Sequence, residues 1–239
     1  MRTVLVMNSK GGCGKTTLTT NLASYFASQK LGTTIMDYDP QGSSLNWLRL
    51  RPQHAPAIYG ANAAPRGNGL RSIQMSVPAD TETLLIDAPA GVKGLLLQEL
   101  LNKAQYVVIP VPPSPIDIHA TADFIKELLL FGRIRARNIR VAVVANRVRK
   151  NAPVYEPLER FLGSLNLPLL ARISDSDEYV KAVENGLGVF EMHSAYEEQQ
   201  EFLPVVQWLE RRGEVYQSTK DQKVVGITTA RRAQLQLGL

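Results

Sequence analysis

The chain has 239 residues, of which 44% are hydrophobic and 21% charged, with a formal net charge of +5. That suits one α/β domain with a full core, permits a polyanionic partner without requiring one, and leaves no run near the ~18 apolar residues of a membrane span. The single cysteine, Cys13, excludes an internal disulfide and a cysteine-held metal cluster, and a reducing cytoplasm is the expected setting.

Taken in order, the chain alternates strands with helices. Val4–Met7 reads as a buried strand, with no room ahead of it for a signal or transit peptide. After a glycine-rich stretch, Leu18, Leu22, Tyr25 and Phe26 fall on one face of a first helix, and Gly32 is a natural C-terminal stop. Thr33–Asp37 reads as a strand and Ser43–Leu50 as a short helix. Residues 51–69, rich in Pro, Ala, Gly and Asn, read as a long surface loop with room for a short strand. Then come a strand at Thr83–Asp87, a helix at Val92–Lys103, a strand at Tyr106–Pro110 and a helix at Ile116–Phe131. A strand at Val141–Asn146, a helix at Val154–Leu165, a strand at Leu169–Ile173 and helices at Ser176–Asn185 and Ala195–Arg212 complete the pattern. The expected fold is a single α/β domain over residues 1–212, with a mostly parallel twisted sheet flanked by helices on both faces. The polar tail, residues 213–239, is expected to be mobile or loosely docked.

The stretch Lys10-Gly11-Gly12-Cys13-Gly14-Lys15-Thr16-Thr17 lies between strand and helix, the context in which a phosphate-binding loop works. Its glycines let backbone N–H groups turn onto an anion, and the helix start adds the positive end of its dipole. Lys15 is expected on the β- and γ-phosphates and the Thr16 hydroxyl on magnesium. The ordinary loop has glycine where Ser9 stands; this one has a second lysine, Lys10, before the glycine pair. Two cations in one loop repel unless further negative charge arrives.

Ligands of parallel α/β sheets sit beyond the carboxyl ends of the strands, and the remaining acidic signals fall there. Asp87 closes one strand and is placed to hold magnesium through water; Asp37 is assigned to the magnesium shell and Asp39 to orienting or deprotonating the attacking water. Asn146-Arg147-Val148-Arg149 ends a late strand where a base would be read. A guanine-reading Asn-Lys-x-Asp would need an acid where Arg149 stands, so ATP is favoured over GTP. Asn146 is a candidate adenine contact and equally a capping residue.

With Asp37-Tyr38-Asp39-Pro40-Gln41 and Leu85-Ile86-Asp87, the loop resembles that of the ParA/MinD family of deviant Walker ATPases. Val108 through Asp117 and Val189-Phe190-Glu191 resemble the small ParA branch that includes ParF-like and McdA-like proteins, over roughly residues 1–212. The resemblance implies a P-loop ATPase that binds ATP and Mg2+ and closes as a homodimer over two nucleotides, with Lys10 reaching across. It further implies nonspecific binding to double-stranded DNA, hydrolysis stimulated by a ParB-like or McdB-like adaptor protein, and the partition or positioning of a cargo. The setting would be cytoplasmic and nucleoid-associated.

Seven basic residues (Arg133, Arg135, Arg137, Arg140, Arg147, Arg149 and Lys150) and no acidic one lie between Phe131 and Lys150. Arg147, Arg149, Lys150, Lys181, Arg211 and Arg212 are the candidate DNA contacts, with a solvated charged surface as the competing reading. Cys13, beside two lysines and a helix start, could favour thiolate, or simply fill a variable loop position. His54, His119 and His193 show no ligand spacing. Within the resemblance, a MinD-like membrane-associated ATPase is the alternative, though residues 224–239 lack a clean apolar stripe. A metabolic ATP-dependent enzyme on the same scaffold would need a second residue cluster, and none is visible.

Overall fold

The computed structural model describes residues 1–65, 77–131, 134, 136–149 and 156–211. The tail 213–239, the beginning of the helix expected from Val154, and the basic residues Arg133, Arg135, Lys150 and Arg212 lie outside the described residues. The elements are β1 (Arg2–Val6), α1 (Lys15–Ser28), β2 (Thr33–Asp37), α2 (Ser43–Leu50), β3 (Tyr59–Asn62), β4 (Thr83–Asp87) and α3 (Gly94–Lys103). They continue with β5 (Tyr106–Val111), α4 (Pro115–Phe131), β6 (Arg140–Val148), α5 (Glu156–Ser164), β7 (Leu169–Ser174), α6 (Asp177–Glu184) and α7 (Tyr196–Glu210). A 3-10 turn, Val189–Glu191, joins α6 to α7.

The seven strands form one sheet in the order β3-β2-β4-β1-β5-β6-β7, and every pairing is parallel. The central strands read as continuous apolar runs because both faces are covered. Successive residues feed opposite cores. Leu5, Leu84, Ile86, Val107, Ile109, Val141 and Val143 pack with α3, α4 and α5, whereas Val4, Val6, Ile35, Leu85, Val108, Ala142 and Val144 pack with α1, α6 and α7. Helix α1 runs along the second face with Leu18, Leu22 and Phe26 fully buried.

This layout brings the carboxyl ends of β1, β2 and β4 side by side. Val6 pairs with Asp87, and Asp87 pairs with Asp37. Asp37 and Asp87 are therefore register partners on adjacent strands, with backbones about 4.8 Å apart.

Candidate nucleotide site

The loop after β1 turns into α1 through Gly12 (φ 70°) and Gly14 (φ 94°), both left-handed. A Cβ on Gly11 or Gly12 would meet nothing within 4 Å, whereas one on Gly14 would lie 1.9 Å from the Asn146 Nδ2 atom. The inner side of the loop is therefore open, and its outer side rests on a neighbour. Asn146, at the end of β6, donates from Nδ2 to the Cys13 carbonyl at 2.9 Å and is buried. The candidate adenine contact thus lies against the phosphate loop and shapes it. Asn8, which the motif reading passed over, donates to the Pro110 carbonyl (2.7 Å) and the Thr121 hydroxyl (3.1 Å). It fastens the loop's entry to β5 and α4.

Lys15 is buried, and its ammonium donates to the Lys10 carbonyl at 3.1 Å. Lys10 is half-buried and forms no ion pair among the described residues. The Thr16 hydroxyl donates to Asp87 Oδ2 at 2.9 Å. Asp87 is almost fully buried, and burial, then the neighbouring Asp37 carboxylate, push its pKa up to about 7. Two adjacent buried carboxylates beside a threonine hydroxyl form an acceptor set of the kind a hard divalent cation requires.

Asp37 is fully buried and also anchors α2. Its Oδ2 accepts from Ser44 N (3.2 Å), Ser44 Oγ (2.7 Å) and Leu45 N (3.3 Å), and its Oδ1 accepts from Asp39 N at 2.9 Å. A carboxylate at a helix start is stabilised by the N–H groups and dipole found there. Asp39 is more open, with Oδ1 accepting only a local bond from Gln41 N at 3.0 Å. Thr17 holds the neighbouring helix surface, its carbonyl accepting from Asn21 Nδ2 at 2.8 Å.

Cys13 is fully buried with its thiol directed at the Lys10 carbonyl, 3.3 Å away. Burial raises its pKa, against the opposing pull of Lys15. The thiolate that two nearby lysines suggested is disfavoured because desolvation outweighs the attraction of Lys15.

Among the described residues, the basic side chains of this run lie at both ends of the sheet. Arg140 opens β6 and Arg147 lies seven residues on, so the strand carries them about 23 Å apart. Arg147 (φ 57°), at an irregularity in the β6–β7 pairing, and Arg149 both lie beside Asp175, at 3.7 and 3.9 Å. Lys181 is held by Glu178 at 2.6 Å. Arg211 lies at the opposite end of the sheet, its carbonyl accepting from Arg140 at 2.7 Å. Arg137 donates to Gln98 at 2.9 Å beneath α3. Among the described residues no group of His, Cys, Asp and Glu has metal-cluster geometry, and no helix is long and apolar enough to cross a membrane.

Residues 4–189 match the CobQ/CobB/MinD/ParA nucleotide binding domain family. The chain is 26% identical over 195 residues to the maintenance of carboxysome distribution protein A of Halothiobacillus neapolitanus, covering 80% of this chain and 87% of that protein. It is 25% identical over 154 residues to the chromosome-partitioning ATPase Soj of Thermus thermophilus, covering 54% of this chain and 61% of that one. The apo structure of McdA from Cyanothece superposes with a TM-score of 0.70 at 16% identity, over 87% of this chain and 99% of that one. The ATP complex of a singly substituted form of that protein gives 0.65 at 14% identity, over 91% and 99%. At such identity the structural likeness is one of fold.

Proposed function

The chain belongs to the CobQ/CobB/MinD/ParA nucleotide-binding family, and from that premise we propose that it is a ParA-type positioning ATPase. It binds ATP with magnesium, closes as a homodimer over two nucleotides and associates with DNA without sequence preference. An adaptor protein of the ParB or McdB kind stimulates hydrolysis, and the cycle partitions or positions a cargo such as a plasmid, a chromosome or a protein organelle. The named relatives, one a carboxysome distribution protein and one a chromosome-partitioning ATPase, support this reading.

The observation that carries it is the pair of lysines in one glycine loop, Lys15 turned inward and Lys10 half-buried without an ion pair among the described residues. Lys15 exchanges the Lys10 carbonyl for phosphate oxygens, a stronger, charge-assisted partner. Lys10 supplies its charge to the nucleotide of the facing copy. The backbone N–H groups of Gly11, Gly12, Cys13 and Gly14 and the start of α1 hold the remaining phosphate charge. Asp39, the open carboxylate of the site, orients the attacking water, while Asp37 fixes the strand end from which Asp39 projects. Thr16, Asp87 and, through the same strand end, Asp37 would hold magnesium, which when bound supplies positive charge to the β- and γ-phosphate oxygens. Arg147, Arg149, Lys150, Lys181, Arg211 and Arg212 remain the proposed phosphate contacts to DNA.

The test is binding to nonspecific duplex DNA with ATP, ADP or no nucleotide, at two salt concentrations, for the wild type, Lys10→Ala and Lys15→Ala. Binding that requires ATP, weakens with salt and disappears in both variants is expected. Intact ATP binding with no DNA binding in any state would overturn the positioning role, and liposome co-sedimentation would then be the next measurement.

A further inference from the structure

The segment between β2 and α2 crosses the end of the sheet, and its side chains alternate sides. Asp37 faces α1 and α2, where it meets Ser44 and Leu45. Tyr38 points the other way, into the core beneath α3, and is 5% exposed. Its backbone N–H donates to the Asp87 carbonyl at 3.0 Å, and its phenol donates to Glu99 Oε1 on α3 at 3.2 Å. One residue therefore touches the end of β2, the end of β4 and α3, and the next residue in the chain is Asp39.

Helix α3 is joined to the end of β4 by a short connection with two left-handed glycines. Between Asp87 and the helix the chain passes through Gly91 (φ 64°) and Gly94 (φ 60°), both in the left-handed region that L side chains rarely adopt. A Cβ on Gly91 would come within 3.6 Å of the Ser9 carbonyl, so this connection runs over the phosphate loop. Just beyond the second glycine, Leu95 is 89% exposed at the start of the helix. A displacement of this connection, whether by charge arriving in the loop or by a surface meeting Leu95, would reach α3 and with it Glu99.

We propose that the Tyr38–Glu99 hydrogen bond is a positioning link that carries displacement of α3 through the sheet end to Asp39. It rests on the reading of Asp39 as the water-orienting group. Tyr38 and Glu99 are positioning residues, neither of which touches the nucleotide. The lever is short and stiff: Tyr38 is held by its ring in the core and by its N–H on Asp87, so a pull on its hydroxyl rotates the peptide that bears Asp39. Because α2 is fixed to Asp37 on the opposite side and Asp37 also holds the Asp39 N–H, Asp39 is the point where the two supports meet, and its carboxylate takes up the movement.

The experiment measures steady-state turnover and the ATP dissociation constant for Tyr38→Phe, Glu99→Ala, Glu99→Gln, the Tyr38→Phe/Glu99→Ala double variant and Asp39→Ala, with thermal unfolding of each. Phenylalanine keeps the buried ring, and glutamine keeps an acceptor for the phenol. The expected result is a roughly tenfold fall in kcat for Tyr38→Phe and for Glu99→Ala with unchanged ATP affinity, the size of one misplaced hydrogen bond at a positioned group. The double variant falls no further than either single one, and Glu99→Gln stays within about twofold of wild type. Wild-type turnover in Tyr38→Phe beside an inactive Asp39→Ala, or losses that add in the double variant, would overturn the link alone. Turnover surviving in Asp39→Ala would overturn the role of Asp39 and the link with it.

Discussion

At the carboxyl end of the sheet, Asp37, Asp87 and Lys15 are buried charges held by helix N–H groups, a threonine hydroxyl and a loop carbonyl. At the amino end, cations are kept half in water and laid on aromatic rings. Arg2 lies 4.7 Å over Phe26, and Arg140 lies over both Tyr106 (5.4 Å) and Trp208 (4.9 Å) while capping the end of α7. Both ends carry charge, but only one has taken it out of water. Burial with partial compensation leaves Asp87 poised near neutrality and Lys15 on a weak neutral acceptor, so both gain when an anion and a cation enter. The aromatic-stacked arginines gain nothing comparable and serve to close the fold.

The sharpest way to break this contrast is Lys15→Ala, expected to weaken ATP binding by roughly a hundredfold by removing a charge-assisted phosphate contact. Titration with a fluorescent ATP analogue would measure it, and retained affinity would mean the buried cation is structural. Next is Gly14→Ala. The new methyl group would be forced onto Asn146 in a left-handed backbone, so urea unfolding should show a loss of about 2–3 kcal/mol together with lost nucleotide binding.

A subtler test uses Asp87→Asn without nucleotide. The Asp87 pKa is raised to about 7 from 3.8, so the folded state binds its proton more tightly than the unfolded one. The contribution of Asp87 to stability is full below about pH 4 and is lost as pH rises to about 7. Thermal unfolding of wild type against Asp87→Asn should therefore diverge over that window, with the asparagine variant the more stable at pH 8. A gap independent of pH would remove the buried-charge account. The smallest effect is expected at the other end: Arg140→Ala should cost about 1 kcal/mol in urea unfolding and leave ATP turnover unchanged.

Several elements were legible because their signals are local. β2 (Thr33–Asp37), α2 (Ser43–Leu50) and β4 (Thr83–Asp87) fall on the expected residues, each being an apolar or amphipathic run with a clear terminator. β3 (Tyr59–Asn62) showed only as room within a loop, since an edge strand exposed at three of four positions has no alternation to read. The loop lysines, Thr16 and the three aspartates were visible as spaced residue types. Asn8 on Thr121, Asn146 on Cys13 and Tyr38 on Glu99 were not, because each joins residues 61 to 133 positions apart. The placement of the basic run was not legible either: Arg140 and Arg147 are near in sequence, and the buried strand between them carries them to opposite ends of the sheet.

The support that Asn146 gives the phosphate loop also has a consequence in time. β1 and its loop leave the ribosome before the strands that support them: β1 pairs with β4 and β5, and the loop is shaped by an amide that belongs to β6. At ~5–20 residues per second, synthesis separates Cys13 from Asn146 by on the order of ten seconds. A nascent chain that stops short of Asn146 carries the whole lysine and glycine motif without the support that sets its shape, and ATP cannot stabilise it until the sixth strand is in place.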